Sequence, residues 1–175
     1  MYLAVTAFIG SIIGANIAID IKGDTFNKIL AIIMVAVVLI ILFKPKMNTE
    51  GLEERLKGKY LVYAMIAFFF FGIYGGFINA GLGFLMMIFL HGVNRLSLVK
   101  TNMTKVSVVC LYTIAALAVF AYNDKVDWLI GGVLALGNGT GAWVASRYSV
   151  KKGDGFIKKF MVAMIVIMAI KLWFF

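Results

Sequence analysis

Long apolar runs separated by short polar segments dominate this chain. Residues 1–19 and 60–90 contain no charged side chain, and residues 29–43 form an unbroken apolar run. The remaining predominantly apolar runs cover residues 106–122, 128–146 and 156–175. A helix needs about 20 such residues to cross about 30 Å of hydrocarbon. The pattern predicts an all-α polytopic membrane protein with about six transmembrane helices, located in the cell membrane with the lipid bilayer as its main partner.

The composition agrees with a membrane location. Hydrophobic residues make up 63% of the 175 residues and charged residues 14%, and the mean hydropathy is +0.99, outside the range of soluble domains. The net charge of +9 could suggest a nucleic-acid partner, but the basic residues stand at the ends of apolar runs, where they act as anchors and topology signals. We therefore expect no nucleic-acid binding.

The chain offers little chemistry for an enzyme. Its single cysteine, Cys110, and single histidine, His91, provide neither a disulfide nor a metal-ligand spacing. It contains no nucleotide-binding motif and no nucleophile paired with a base. We predict no metal, no cofactor and no enzymatic activity, and we expect His91 to be an interfacial residue.

Glycines interrupt the longest apolar run at its centre. The segment contains Gly72, Gly75 and Gly76, then Asn79, Gly81 and Gly83. Glycine costs about 1 kcal/mol in a helix interior relative to alanine, so the cluster favours a broken helix or a re-entrant pair. Non-helical backbone at membrane depth must be buried in protein or line a cavity. The alternative, that these glycines only permit close helix crossing, stays open.

The two forms of this segment give different topologies. A single crossing by residues 60–90 distributes Lys and Arg weakly between the two sides. If the segment enters and returns on one side, the charged loops share one face and three lysines lie opposite. The loops are 44–59, 91–100 and 147–159, and the lysines are Lys22, Lys28 and Lys125. The re-entrant form gives the clearer positive-inside bias.

An internal repeat extends over one and a half units. Residues 10–18 match residues 137–145 at four small positions, and Gly-Asp-x-Phe-x-Lys occurs at 23–28 and again at 153–158. In the first copy Gly10, Ser11, Gly14, Ala15 and Ala18 also predict a close-packing helix face. We interpret residues 1–43 as the second half of an N-terminal repeat with two helices, 44–59 as a polar loop and 60–175 as a complete C-terminal repeat, which is inverted if the glycine segment is re-entrant. The first copy lacks a glycine-broken segment, so the hypothesis requires a missing N-terminal segment or a homo-oligomer.

Candidate binding residues lie at the break and on the helices after it. A half-helix N-terminus at membrane depth suits an anion; Asn79 could cap a half-helix beginning near Ala80, and glycines let a ligand approach the backbone. The hydroxyls of Thr101 and Thr104 and the ammonium of Lys105 share one helix face, because these residues are spaced at i, i+3 and i+4. The predicted substrate-binding residues are Asn79, Gly81, Gly83, Thr101, Thr104, Lys105, Asn138 and Thr140. The alternatives are that Lys105 snorkels to the surface and that Asn138 and Thr140 bond neighbouring helices.

Three segments in order, residues 72–84, 101–105 and 137–145, resemble the TauE/SafE family of sulfite exporters, also called TSUP permeases. The resemblance implies a permease or exporter for small inorganic or organic anions such as sulfite or an organosulfonate. We expect alternating access driven by an ion or proton gradient. Two departures from the family pattern are the absence of a proline after Gly83 and of the first glycine-rich segment. The alternative function is a non-transporting membrane scaffold or subunit of a larger assembly.

Overall fold

The computed structural model describes residues 2–21, 23–42, 55, 58–152 and 167, and all regular structure in these residues is helical. The helices are α1 (Tyr2–Asp20), α2 (Gly23–Leu42), α3 (Lys59–Phe77), α4 (Leu82–Gly92), α5 (Leu98–Tyr122) and α6 (Trp128–Lys152). Four of them, α1, α3, α5 and α6, are long and apolar enough to cross a membrane, and α4 is a shorter apolar helix. The predicted all-α polytopic membrane fold is confirmed. Except for residue 167, the predicted last crossing, 156–175, lies outside the described residues, as does most of the 44–59 loop.

Several helices extend past the predicted apolar runs. The segment 20–28, predicted as a polar connection, is mostly helical, because α1 ends at Asp20 and α2 begins at Gly23. Similarly, α5 begins at Leu98 instead of Val106, and α6 continues to Lys152. The apolar run marks the part of a helix that lies in hydrocarbon, whereas polar residues can continue the same helix into water.

Four glycines bring α1 and α3 into backbone contact. In α1, a Cβ atom at Gly10 would overlap the carbonyl oxygen of Phe69, and one at Gly14 would overlap that of Ile73. In α3, a Cβ atom at Gly72 would overlap the carbonyl oxygen of Ala7, and one at Gly76 would overlap that of Ser11. Because these contacts advance along both helices in the same order, α1 and α3 run parallel. The predicted small-residue face of α1 is confirmed at Gly10, Ser11, Gly14 and Ala15, which are all buried, and Ala18 is half-buried.

The helices α3 and α4 form an antiparallel hairpin. The ring of Phe89 in α4 lies 5.7 Å from that of Phe71 and 6.3 Å from that of Phe68. Leu82, at the start of α4, lies beside Gly75 near the end of α3. Position numbers therefore fall along one helix as they rise along the other, which is the re-entrant form of the glycine-rich segment.

The start and the end of the hairpin lie next to each other. The backbone N–H of Arg55, before α3, donates to the carbonyl oxygen of Asn94, after α4, at 2.9 Å, and Nδ2 of Asn94 donates to the carbonyl oxygen of Arg55 at 2.9 Å. We call these paired residues the hairpin mouth. The segment enters and returns at one end, as the re-entrant alternative requires.

The tip of the hairpin contacts α5 partway along that helix. The Ser97 hydroxyl caps α5 by accepting from the N–H of Lys100 at 3.3 Å. From Leu98, Tyr112 lies about 21 Å along the helix, and about 15 Å of helix continues beyond it. Since Tyr112 contacts the tip of the hairpin, the chain reverses direction well inside the span of α5. The buried core joining α1, α3, α4 and α5 consists of Leu3, Ala4, Ala7, Ala64, Phe68, Leu82, Met86, Leu90, Leu96, Val108 and Tyr112.

Candidate functional site: the re-entrant turn

Four residues, Ile78 to Gly81, connect α3 to α4, and we call them the re-entrant turn. The N–H groups of Ile78 and Asn79 both donate to the carbonyl oxygen of Tyr74, at 2.9 and 3.3 Å, and close α3. Asn79 and Gly81 have positive φ angles of 60° and 69°, a region that glycine and asparagine enter more readily than other residues. The residue types therefore explain why the helix breaks here.

The prediction that Asn79 caps the second half-helix is wrong. α4 begins at Leu82, and the residue at the N-cap is Gly81, which has no side chain to accept a hydrogen bond. Asn79 lies two residues before this N-cap position, and its side-chain oxygen accepts from Tyr112 instead. The backbone oxygen of Gly81 accepts from the N–H groups of Phe84 and Leu85 at 3.0 and 3.4 Å.

Two tyrosine hydroxyls hold the re-entrant turn. Tyr74 donates to the carbonyl oxygen of Ala80 at 2.5 Å, and Tyr112 donates to Oδ1 of Asn79 at 2.6 Å. The Tyr112 side chain is 1% exposed, and a Cβ atom at Gly75 would approach its ring to 2.8 Å. The sequence analysis missed both tyrosines, although a buried tyrosine hydroxyl in an apolar helix usually has a partner and could have indicated them.

The start of α4 presents backbone N–H groups. The N–H groups of Leu82 and Gly83 belong to the first helical turn, where no intrahelical carbonyl is available to them, and neither donates to another described residue. The end of the helix also carries a partial positive charge of about half an elementary charge. This geometry favours an anion or another acceptor at the turn.

The structure brings Lys105 to the same place. Its Cδ atom lies 3.6 Å from the position of a Cβ atom built on Gly83, and its Nζ lies 3.9 Å from Sδ of Met87, one turn further along α4. The side chain is half-buried. The lysine stem therefore lies against the first turn of α4 and the ammonium about one turn further along, so an anion at the turn would be attracted by both the ammonium and the helix N-terminus.

The predicted threonines are further from the turn. Thr101 is fully buried, and its hydroxyl donates to the carbonyl oxygen of Leu96 at 3.4 Å, near the hairpin mouth. Thr104 is half-buried beside Lys105 in the sequence. The spacing that places Thr101, Thr104 and Lys105 on one helix face is present, and their part in binding stays a prediction.

The described structure does not bring Asn138 and Thr140 to the turn. Both lie on α6, whose described side chains are exposed. The Thr140 hydroxyl donates to the carbonyl oxygens of Leu136 and Gly137 in its own helix, at 2.8 and 3.2 Å. Neither residue contacts the re-entrant turn in the part of the chain described, so their role in binding also stays a prediction.

His91, which the sequence predicts to be an interfacial residue, is buried by other parts of the protein. It is 5% exposed, and its Nδ1 lies 2.8 Å from the carbonyl oxygen of Leu96. The chain folds back after α4, and this contact ties the end of α4 to the loop before α5. Within the described ranges, no three His, Cys, Asp or Glu side chains are grouped closely enough to hold a metal ion.

The fold and the turn together define a multi-pass α-helical membrane protein with a re-entrant hairpin, whose tip carries backbone donors and whose second helix is contacted by a lysine of α5. Residues 1–172 match the family described as "Sulfite exporter TauE/SafE". The chain belongs to this family.

Similar proteins carry names of the same kind. A probable membrane transporter protein of Haemophilus influenzae is 26% identical over 98% of this chain and 66% of its own length. The probable membrane transporter protein YfcA of Escherichia coli K12 is 28% identical over 94% of this chain and 61% of its own, and ORF9 of Sinorhizobium sp is 26% identical over 97% and 64%. The chain thus spans less than two thirds of the length of these relatives. No solved structure gives a significant match.

Proposed function

We propose that this protein is a non-enzymatic permease for small sulfur oxyanions, sulfite or an organosulfonate, and that it works by alternating access. The family description names sulfite export, and the relatives are named as probable transporters. The observation that carries the proposal is the position of the Lys105 side chain along the first turns of α4, against Gly83 and Met87. This group of donors matches a solute with several acceptor oxygens.

The proposed binding mode uses only donors at the turn. An oxyanion beside α4 would accept from the N–H groups of Leu82 and Gly83 and from Nδ2 of Asn79, with the Lys105 ammonium balancing its charge. Charge-assisted hydrogen bonds of this kind are roughly twice as strong as neutral ones. They offset the cost of removing the anion from water, which is high at membrane depth.

The position of the turn partway along α5 supports the proposal of alternating access. The tip of the hairpin lies about 21 Å from one end of α5 and about 15 Å from the other, so a solute bound there is remote from both membrane surfaces. Net movement requires the turn to become accessible from each side in succession. The glycine contacts between α1 and α3 would make the hairpin and α1 move as one body. With no nucleotide-binding motif in the sequence, we propose that an ion or proton gradient supplies the driving force.

Flux into proteoliposomes tests the proposal. The purified chain is reconstituted, and uptake of radiolabelled sulfite is measured against its concentration. We expect saturable uptake, and Lys105→Met should raise the KM at least about tenfold because a charge-assisted contact to the anion is lost. The matched control is Lys125→Met, since Lys125 lies in the exposed turn between α5 and α6 and should leave the KM unchanged. If the wild type takes up sulfite and Lys105→Met shows the same KM, Lys105 does not balance the charge of the anion.

The alternative function, a non-transporting scaffold or subunit, is favoured by one observation. The described side chains of α6 are exposed although the helix is apolar enough to span a membrane, which leaves a surface for helices from elsewhere. The same assay discriminates, because a scaffold gives no saturable sulfite uptake by itself.

A further inference from the structure

The re-entrant turn contains acceptors as well as donors. The carbonyl oxygen of Ala80 and Oδ1 of Asn79 both carry partial negative charge and would repel a bound anion. Each is covered by a tyrosine hydroxyl, Ala80 by Tyr74 at 2.5 Å and Asn79 by Tyr112 at 2.6 Å. The hydroxyls come from two different helices, α3 and α5, so the pairing depends on how these helices pack.

We propose that Tyr74 and Tyr112 are positioning residues that make the re-entrant turn selective for anions, an inference that rests on the proposed function. By donating to two acceptors of the turn, they leave Nδ2 of Asn79 and the backbone N–H groups of Leu82 and Gly83 as the groups offered to a solute. A solute with acceptor oxygens is then favoured over one that must donate.

The orientation of the Asn79 carboxamide is the main consequence. Its two ends differ only in being donor or acceptor, so rotation by 180° about the last torsion would exchange NH₂ for oxygen in nearly the same space. The hydrogen bond from Tyr112 selects the state in which Oδ1 points to α5 and Nδ2 points away. The Tyr112 ring is 1% exposed and packs at Gly75, which holds the hydroxyl in place, while the Asn79 side chain itself is exposed.

The variant Tyr112→Phe tests this role because it removes the hydroxyl and keeps the ring. Uptake of radiolabelled sulfite into proteoliposomes should show a KM raised about fivefold to tenfold, with a kcat within about twofold of wild type, since packing of the helices is retained. Tyr74→Phe should change the KM in the same direction by uncovering the Ala80 carbonyl. The matched control is Tyr122→Phe, at the exposed end of α5, where the side chain is 89% exposed.

A double variant separates positioning from a structural role. If Tyr112 acts through Asn79, then Tyr112→Phe in an Asn79→Ala background should change the KM by less than about twofold, because the oriented amide is already absent. The same fivefold to tenfold change in that background would overturn the inference, as would an unchanged KM in the single variant. Absence of saturable uptake by the wild type would instead overturn the proposed function and this inference with it, so the two failures are distinguishable.

Discussion

The hydroxyl of Tyr112 donates a 2.6 Å hydrogen bond to the side-chain oxygen of Asn79, 33 positions earlier in the chain. This bond joins the interior of α5 to the point where the glycine-rich segment reverses direction. It shows that the re-entrant turn is held by specific polar contacts as well as by glycine flexibility.

Replacing Asn79 with Asp should remove anion transport while retaining the fold. Aspartate has nearly the same shape and can still accept from Tyr112, so the turn is preserved. It replaces the NH₂ donor with a negatively charged oxygen that repels an anion, and we expect sulfite uptake to fall at least about a hundredfold, since both a donor is lost and a like charge is added.

The measurement for this variant is sulfite uptake into proteoliposomes, with thermal unfolding in detergent as the check on folding. Ser97→Ala is a useful control because it weakens the α5 cap, at a cost of about 1 kcal/mol, without touching the turn. Normal uptake by the Asp variant would show that Asn79 does not face the transported anion.

Large side chains at the α1–α3 crossing should destabilise the protein. Gly72→Leu places a side chain where the carbonyl oxygen of Ala7 lies, and backbone atoms cannot move aside as a flexible side chain can. We expect a loss of at least about 2 kcal/mol, the scale of overpacking in a dense interior, and a lower melting temperature.

The matched control for the crossing is Gly132→Leu, because a Cβ atom at Gly132 meets nothing within 4 Å. Both changes add the same apolar volume to a helix, so they differ only in the neighbouring backbone. Equal melting temperatures for the two variants would contradict the close parallel packing of α1 and α3.

Bulk at Gly83 should displace Lys105. An alanine Cβ would lie 3.6 Å from Cδ of Lys105, which is ordinary van der Waals contact, so Gly83→Ala should leave the KM for sulfite within about twofold. Gly83→Leu fills the space that the lysine stem occupies and should raise the KM about tenfold, similar to Lys105→Met, on the scale of one lost charge-assisted contact. An unchanged KM in the leucine variant would argue against the proximity of Gly83 and Lys105 during transport.

Cysteine labelling tests the re-entrant topology. Single cysteines at Gly58 and Val93, which flank the hairpin, should react with a membrane-impermeant maleimide from one side of oriented vesicles, and a cysteine at Lys125 from the other. The background must be Cys110→Ser, since the native cysteine is exposed. Labelling of positions 58 and 93 from opposite sides would show that residues 60–90 cross the membrane once.

The sequence by itself determined where the chain breaks and which face of α1 packs closely. Residues 60–90 are too long for one untilted crossing, and glycine and asparagine are the residues that tolerate positive φ angles, so composition and length located the turn. Small residues of α1 at a spacing of four, such as Gly10 and Gly14, indicated the face that contacts α3. These features depend on short stretches of chain, and local physics is sufficient to predict them.

Only the tertiary structure decided what the polar groups contact. The bond from Tyr112 to Asn79, the position of Lys105 over Gly83 and the pairing of Arg55 with Asn94 at the hairpin mouth join residues far apart in the sequence. The prediction of an Asn79 cap was wrong, and the burial of His91 was not predicted, because both depend on contacts between separate segments. A side chain's partner depends on how separate helices pack, and apolar periodicity along one helix contains no information about the depth or the rotation of its neighbours.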